Sequence, residues 1–207
     1  MTRSISRRGF IGNMAMASAA VAVMQAPEFL NDGCWARAAA AQGADLVTET
    51  FSGLLAFVVP GQDVYSVHQG VSTREPGGVD SGAAQSLLAT IDSSTPFVPQ
   101  FSSSVAALLN GLAQAVNPMA AGPFGSPFAR LSFAEKTVVF QLMDGDDSFR
   151  VLAGVLPGFV AFFVYSEAGA FDPVTRSLTS QPVGWTLSNY EGVADGRNEF
   201  RGYLRRD

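Results

Sequence analysis

The segment Phe149–Ser166 constrains the fold more than any other part of the chain, because Arg150 is its only charged residue. Residues Val151–Tyr165 are apolar on every face of a helix, which is typical of the buried centre of a domain or of a membrane span. A span needs about 20 apolar residues, whereas this run is shorter and contains Pro157-Gly158. We therefore predict a kinked, buried core helix.

Three further segments have apolar residues at the spacing of amphipathic helices. These are residues 82–92, 101–116 and 133–143. Residues 42–59 turn apolar from Phe51 onward and are predicted to form a short helix or a strand that ends in a turn. The sequence thus predicts a mainly α-helical fold, with a single domain of four or five helices around the buried apolar helix Val151–Val164.

The stretch from Pro60 to Gly82 is rich in glycine and proline, which disfavour regular secondary structure. We predict a long ordered loop or an exposed arm. Loops longer than about 12–15 residues are uncommon in compact domains and are often functional. An equally good interpretation is that the stretch from Pro60 to Gly82 is a surface loop without a function of its own.

The helix predicted at 133–143 has the clearest local signal. Ser132 and Glu135 lie three residues apart, which is the spacing of a capping box. We expect its buried residues to be Val138, Val139 and Leu142.

The helix predicted at 133–143 contains charged residues, and more of them come directly after it. Lys136, the only lysine of the chain, is predicted to be a solvated surface charge. The run Asp144-Gly145-Asp146-Asp147 resembles part of a calcium loop, but the full ligand order is absent. A helix stop followed by an acidic start of the next helix explains this run better.

Residues 1–41 have the features of an export signal. Arg7-Arg8 precede Phe10 and a mild apolar segment from Met14 to Met24, and several Ala-x-Ala cleavage choices follow. The paired arginines indicate the twin-arginine pathway, which moves folded proteins. We predict a signal peptide at 1–41 and one domain at 42–207, exported to the periplasm or the outer face of the cytoplasmic membrane. An uncleaved anchor is the alternative.

The charge balance excludes some classes of partner. The chain has 13 basic and 18 acidic side chains, of which the leader holds four and two, so the remaining domain has a formal charge of −7. Binding to nucleic acid or to anionic lipid depends on Lys and Arg. We therefore expect no nucleic-acid partner, and membrane association only through other proteins.

Few residues are available for catalysis or metal binding. His68 is the only histidine, and the only cysteine, Cys34, lies in the leader. A zinc site needs three or four ligands, with His or Cys prominent, and the nucleophile elbow, dinucleotide-binding and P-loop motifs are absent. We predict no catalytic, cofactor or metal residue on this chain. A hydrolase that uses His68 stays open as an alternative.

Four short features occur in order along the chain. They are the leader motif Arg7-Arg8-Gly9-Phe10-Ile11, the segment Val58-Val59-Pro60-Gly61-Gln62-Asp63 with its Gly-rich continuation to Asp92, the helix start Leu131-Ser132-Phe133-Ala134-Glu135, and Gly184-Trp185 with Asn189-Tyr190-Glu191-Gly192. Together they resemble the gluconate 2-dehydrogenase subunit 3 family. The long Gly-rich insertion and the apolar segment Phe149–Tyr165 depart from the pattern of that family.

The resemblance implies a non-catalytic small subunit of a membrane-associated dehydrogenase complex. In such complexes a large subunit of the glucose–methanol–choline type holds FAD and oxidises an alcohol or a sugar, and a cytochrome c subunit often takes the electrons. The small subunit would bring its partner to the twin-arginine translocase and then stabilise it. It would hold no cofactor itself, because FAD is expected on the partner.

The aromatic residues in the second half of the chain are candidates for the partner interface. They are Phe159, Phe162, Phe163, Trp185 and Tyr190. Two other functions remain as alternatives, namely a stand-alone exported enzyme and a ligand-binding or structural protein of the envelope.

Overall fold

The computed structural model describes residues 43–94, 100–167, 169–172 and 174–190. Within these residues the chain forms eight helices and one short antiparallel hairpin. The helices are α1 (Ala44–Val58), α2 (Val64–His68), α3 (Ala83–Ser94), α4 (Phe101–Val116), α5 (Pro127–Arg130), α6 (Phe133–Gly145), α7 (Arg150–Tyr165) and α8 (Val183–Ser188), and the strands are β1 (Phe171–Asp172) and β2 (Ser177–Leu178).

The prediction of a mainly α-helical fold is confirmed, and α3, α4 and α6 lie where the periodicity placed them. The leader residues Arg7, Arg8 and Phe10 lie outside the described residues, as does the predicted cleavage region.

Helix α1 is the centre of the fold. Every residue from Thr50 to Ala56 is buried, and α1 contacts α2, α3, α4, α5 and α7. The helix that the sequence predicted at Val151–Val164 is α7, which packs on α1 and contributes to the same core. Because α1 carries threonine, serine and glycine between its apolar residues, its composition alone does not show that it is buried on all sides.

Gly53 allows one neighbour to approach the backbone of α1. A Cβ added at Gly53 would lie 2.9 Å from the Cα of Ala129 in α5, closer than a real Cβ tolerates. The short helix α5 therefore packs directly on the middle of α1. Pro127 stands at its start, and the Ser126 side chain accepts a hydrogen bond from the Ala129 N–H.

Helix α7 continues through Pro157 for sixteen residues. Its buried residues lie on one side and belong to the main core; they are Leu152, Ala153, Leu156, Val160, Phe163 and Val164. The opposite side is exposed, so α7 is a core helix that is covered on one side only.

The connection between α1 and α3 is ordered. It contains the short helix α2, which the glycine- and proline-rich composition did not predict. Asp63 caps α2, because its Oδ1 accepts hydrogen bonds from the N–H groups of Tyr65 and Ser66. Aspartate at an N-cap outweighs the glycines nearby. The connection returns to the end of α1, where the Gly78 N–H donates to the Val59 carbonyl over 2.8 Å.

Helix α6 begins with the predicted capping box, in which Ser132 and Glu135 bond each other's backbone N–H groups. Hydrogen bonds from Ser132 lower the pKa of Glu135. The predicted core face is wrong in part: Val139 is buried, but Val138 and Leu142 are exposed. Apolar residues lie on both sides of α6, and the packed neighbours decide which side is covered.

Gly53→Ala and Gly111→Ala form a matched test of the close approach. Both glycines lie inside helices, but a Cβ at Gly111 would meet nothing within 4 Å. Alanine favours a helix by about 1 kcal/mol over glycine. We expect Gly111→Ala to raise the urea midpoint of unfolding and Gly53→Ala to lower it, since α5 must move away. Equal effects of the two substitutions would contradict direct packing of α5 on α1.

Candidate functional site

Lys136 is the most unusual side chain of the described structure. It is wholly buried, with an exposed fraction of 0%, so the prediction of a solvated surface charge is wrong. Its Nζ donates hydrogen bonds to the Gly53 carbonyl over 3.1 Å and to the Gln69 Oε1 over 2.8 Å. The same atom lies 5.5 Å from the centre of the Phe128 ring. Lys136 lies three residues before the buried Val139 and hence on the same side of α6, but the sequence did not show that this is the covered side.

Burial lowers the pKa of Lys136 from 10.5 to about 7, because removal from water disfavours the ammonium form; the Asp63 carboxylate opposes this shift. A neutral amine has two N–H donors. The two acceptors, Gly53 O and Gln69 Oε1, match that number, so the side chain is satisfied without a charge.

Gln69 joins Lys136 to the end of α1. Its Nε2 donates to the Ala56 carbonyl over 2.8 Å, one of the last four carbonyls of α1, which have no partner within their own helix. Its backbone carbonyl accepts from the Phe133 N–H at the start of α6 over 2.9 Å. Gln69 and Lys136 together therefore tie α6 and the α2 connection to two carbonyls of α1.

A second buried polar cluster lies farther towards the N-terminus of α1. The Asn110 Nδ2 donates to the Thr50 Oγ1 over 2.9 Å, and the Asn110 Oδ1 accepts from the Ser126 Oγ over 2.8 Å. The same oxygen accepts from the Phe128 N–H. This cluster links α1, α4 and α5 by bonds that only one arrangement of the helices satisfies.

A buried amine with a pKa near neutrality is a kind of group that active sites use. Lys136, however, has no exposed surface, and both of its hydrogen bonds go to groups that hold helices together. The geometry thus assigns Lys136 to the core rather than to a substrate.

His68 occupies a structural position at the end of α2. Its Nε2 lies 3.0 Å from the Arg130 carbonyl, and its ring meets the edge of Phe124 at 5.3 Å. A Cβ added at Gly122 would lie 2.7 Å from the ring. In the described part of the chain the hydrogen bond of His68 goes to a backbone carbonyl, not to a hydroxyl or a carboxylate, which disfavours a catalytic triad.

The outer face of α7 is the second unusual feature. We define it by its exposed positions after Arg150, which are Val151, Gly154, Gly158, Phe162 and Tyr165. None of them carries a charge, and Phe162 and Tyr165 are 39% and 50% exposed. A Cβ added at Gly154 or Gly158 would meet nothing within 4 Å. The outer face of α7 is therefore open and apolar along the whole helix.

The candidate interface residues divide into exposed and buried ones. Phe159 is half-buried and Phe162 exposed, whereas Phe163 is buried in the core and does not belong to the surface. The rings of Phe159 and Phe162 both contact Phe163, at 5.2 and 5.5 Å between centres. Trp185 and Tyr190 contact each other at 5.2 Å, in and after α8.

Helix α8 lies against the end of α7. A Cβ at Gly184 would lie 2.6 Å from the Cα of Tyr165, so the two backbones are in close contact. This contact places α8 at the C-terminal end of α7. The sequence identified the aromatic residues, but it missed Val151, Gly154, Gly158 and Tyr165, which together with Phe162 recur at spacings of three and four residues.

No cluster of three or more His, Cys, Asp or Glu in the described ranges could hold a metal ion. As for the membrane, the described helices include none with the length and apolar character to cross a bilayer. Comparisons with known proteins found no matching family model, no matching curated protein and no matching solved structure.

The low pKa of Lys136 gives stability a specific dependence on pH. Between pH 7 and 10.5 the unfolded chain binds a proton at Lys136 that the folded chain does not bind. The free energy of unfolding therefore rises with pH in this window, by up to about 1.4 kcal/mol per pH unit from this group.

Lys136→Met removes this contribution and keeps a similar volume. We expect the stability of the wild type relative to Lys136→Met to increase from pH 7 to 10, measured by urea unfolding at each pH. Other titrating groups, including Tyr65, whose pKa burial raises, are common to both proteins. Parallel curves for the two proteins would show that the pKa of Lys136 is not lowered.

Proposed function

We propose that this chain is a non-catalytic small subunit of an exported FAD-dependent dehydrogenase complex. Its large partner would be of the glucose–methanol–choline type, with a cytochrome c subunit as a frequent third member. The role of the small subunit would be to bring the partner to the twin-arginine translocase and to stabilise it afterwards.

The observation that carries this proposal is the outer face of α7. A surface helix normally presents charged or polar residues to water, but the exposed positions of α7 between Val151 and Tyr165 are glycine, valine, phenylalanine and tyrosine. Exposed apolar surfaces of this kind are typical of protein–protein contacts. A partner that covers the outer face of α7 would remove the cost of leaving it in water.

Apolar residues are also exposed after α7 along the chain. Phe171 and Leu178 of the hairpin are exposed, as are Val174 in its turn and Tyr190 after α8. Aromatic residues are enriched at the centres of interfaces. A stable contact buries about 800 Å² on each partner, which needs the hairpin and α8 in addition to α7.

The interior of the domain supports a role as a scaffold. Its buried polar side chains form hydrogen bonds between helices and are closed to solvent; they include Lys136, Asn110 and Gln69. The order of sequence features also supports the proposal, because the capped start of α6 and the Gly184-Trp185 segment are parts of the family resemblance.

Phe162→Asp tests the interface. We expect it to reduce the FAD protein that copurifies with the C-terminally tagged chain from native membranes at least about tenfold, equivalent to about 1.4 kcal/mol of binding free energy. Val67→Asp is the matched control, since Val67 is 61% exposed on α2, away from the proposed contact. Equal losses in both variants, or none in either, would contradict the proposed surface.

The export role has a separate test. Arg7→Lys combined with Arg8→Lys preserves charge but removes the paired arginines, and Arg3→Lys is the control. We expect the double variant to retain the flavoprotein in the cytoplasm and to abolish its periplasmic dehydrogenase activity. Normal export of the flavoprotein would reject the escort role.

A stable monomer that copurifies with no partner would favour an envelope protein, and hydrolysis that depends on His68 would favour a stand-alone enzyme.

A further inference from the structure

Lys136 and Gln69 place an amine against a carboxamide inside the core. The Lys136 Nζ lies 2.8 Å from the Gln69 Oε1, and the two residues are 0% and 2% exposed. The Nε2 of the same amide donates to the Ala56 carbonyl, so the carbonyl end of the amide faces the amine. Because a C=O bond is about 1.23 Å long, the carbonyl carbon Cδ lies within about 4 Å of the Lys136 Nζ.

This arrangement suits a reaction between the two side chains. An amine attacks a carbonyl carbon in its unprotonated form, and burial of a lysine favours that form. Burial lowers the pKa of Lys136 to about 7, so a large share of the chains carries the nucleophilic amine near neutral pH. Reacting atoms need to approach to about 3–3.5 Å, which requires a shift of about 1 Å or less from the position of the amine in the structure.

The core also supplies what an isolated amine and amide lack in water. Two groups that the fold holds together react as one molecule, without the entropic cost of an encounter. The Phe128 ring lies 5.5 Å from the Lys136 Nζ, and neither reacting side chain is open to solvent. Water that would solvate the amine or hydrolyse the product is therefore kept out.

We propose that Lys136 and Gln69 become joined by an isopeptide bond within the folded domain. The bond between Nζ and Cδ forms, and the bond between Cδ and Nε2 breaks. One proton of the amine moves to Nε2, which leaves as ammonia, so the reaction needs no oxidant, reductant or second substrate. The new amide keeps one N–H on Nζ, and the Gly53 carbonyl, 3.1 Å from Nζ, accepts it.

The bond would link the α2 connection to α6 across 67 positions of the chain. A cross-link over such a distance restricts the unfolded chain, as a disulfide does. The only cysteine is Cys34, so the described domain has no disulfide, and the isopeptide bond would resist reduction as well. A cross-linked chain has no Lys136 amine to titrate. The pH dependence of stability predicted above therefore belongs to the chain before the bond forms.

Peptide mapping of the purified chain tests the bond. Trypsin cleaves after arginine and after free lysine, but not after a lysine whose amine is acylated. We expect a branched peptide in which the segment that ends at Arg74 is joined to residues 131–150, with a mass lower by one molecule of ammonia. Lys136 is the only lysine, so the branch has one possible origin on the amine side. Ammonia that is lost by cyclisation of an asparagine or of an N-terminal glutamine leaves no branch.

A pair of glutamine variants identifies the other side of the bond. Gln69→Glu keeps an oxygen beside Lys136 but replaces the amide by a carboxylate, which an amine does not attack. Gln62→Glu is the matched control, because Gln62 is exposed in the same connection. We expect the branched peptide to disappear in Gln69→Glu and in Lys136→Met and to persist in Gln62→Glu. The parent should also migrate faster than Lys136→Met on a denaturing gel under reducing conditions.

Two results would overturn the proposal. One is an unbranched peptide 131–136 as the sole product from the parent, even after prolonged incubation of the folded protein. The other is a branch that persists in Gln69→Glu, since Lys136 would then be joined elsewhere. The measurement on the parent stands even if a variant fails to fold, which urea unfolding checks. The bond needs no partner, so the outcome is independent of whether the chain escorts a dehydrogenase.

Discussion

The packing of α1 is the constraint on which the rest of the structure depends. A helix that is buried on all sides over Thr50–Ala56 must satisfy its polar groups from its neighbours, because an unpaired buried group costs about 1–3 kcal/mol. Lys136 and Gln69 bond two carbonyls of α1, and Asn110 bonds the Thr50 hydroxyl. These bonds fix how α4, α5 and α6 sit around α1.

This arrangement gives the interior of the domain and its surface along α7 different chemical character. Its interior holds a buried lysine and buried amides that are closed to solvent, and it therefore suits a rigid support. Its surface along α7 is open and uncharged from Val151 to Tyr165. Because a rigid domain presents this face without rearranging, binding would lose little conformational entropy. The rigid interior thus allows the outer face of α7 to bind a partner without a change of conformation.

The sequence was sufficient for elements whose signals are local. The capping box at Ser132 and Glu135 and the periodicity of 101–116 located α6 and α4 correctly, because caps and helical stripes involve residues a few positions apart. It also identified the aromatic residues Phe162, Trp185 and Tyr190, which the fold leaves at least partly exposed.

The sequence by itself determined the helical class and the apolar character of α7, since both follow from local composition and spacing. Only the tertiary structure decided which helix is central and which face of α7 is covered. It also decided that Lys136 is buried, because its partners Gly53 and Gln69 lie 83 and 67 residues away along the chain. Burial depends on such distant neighbours, and no pattern within one helix specifies them.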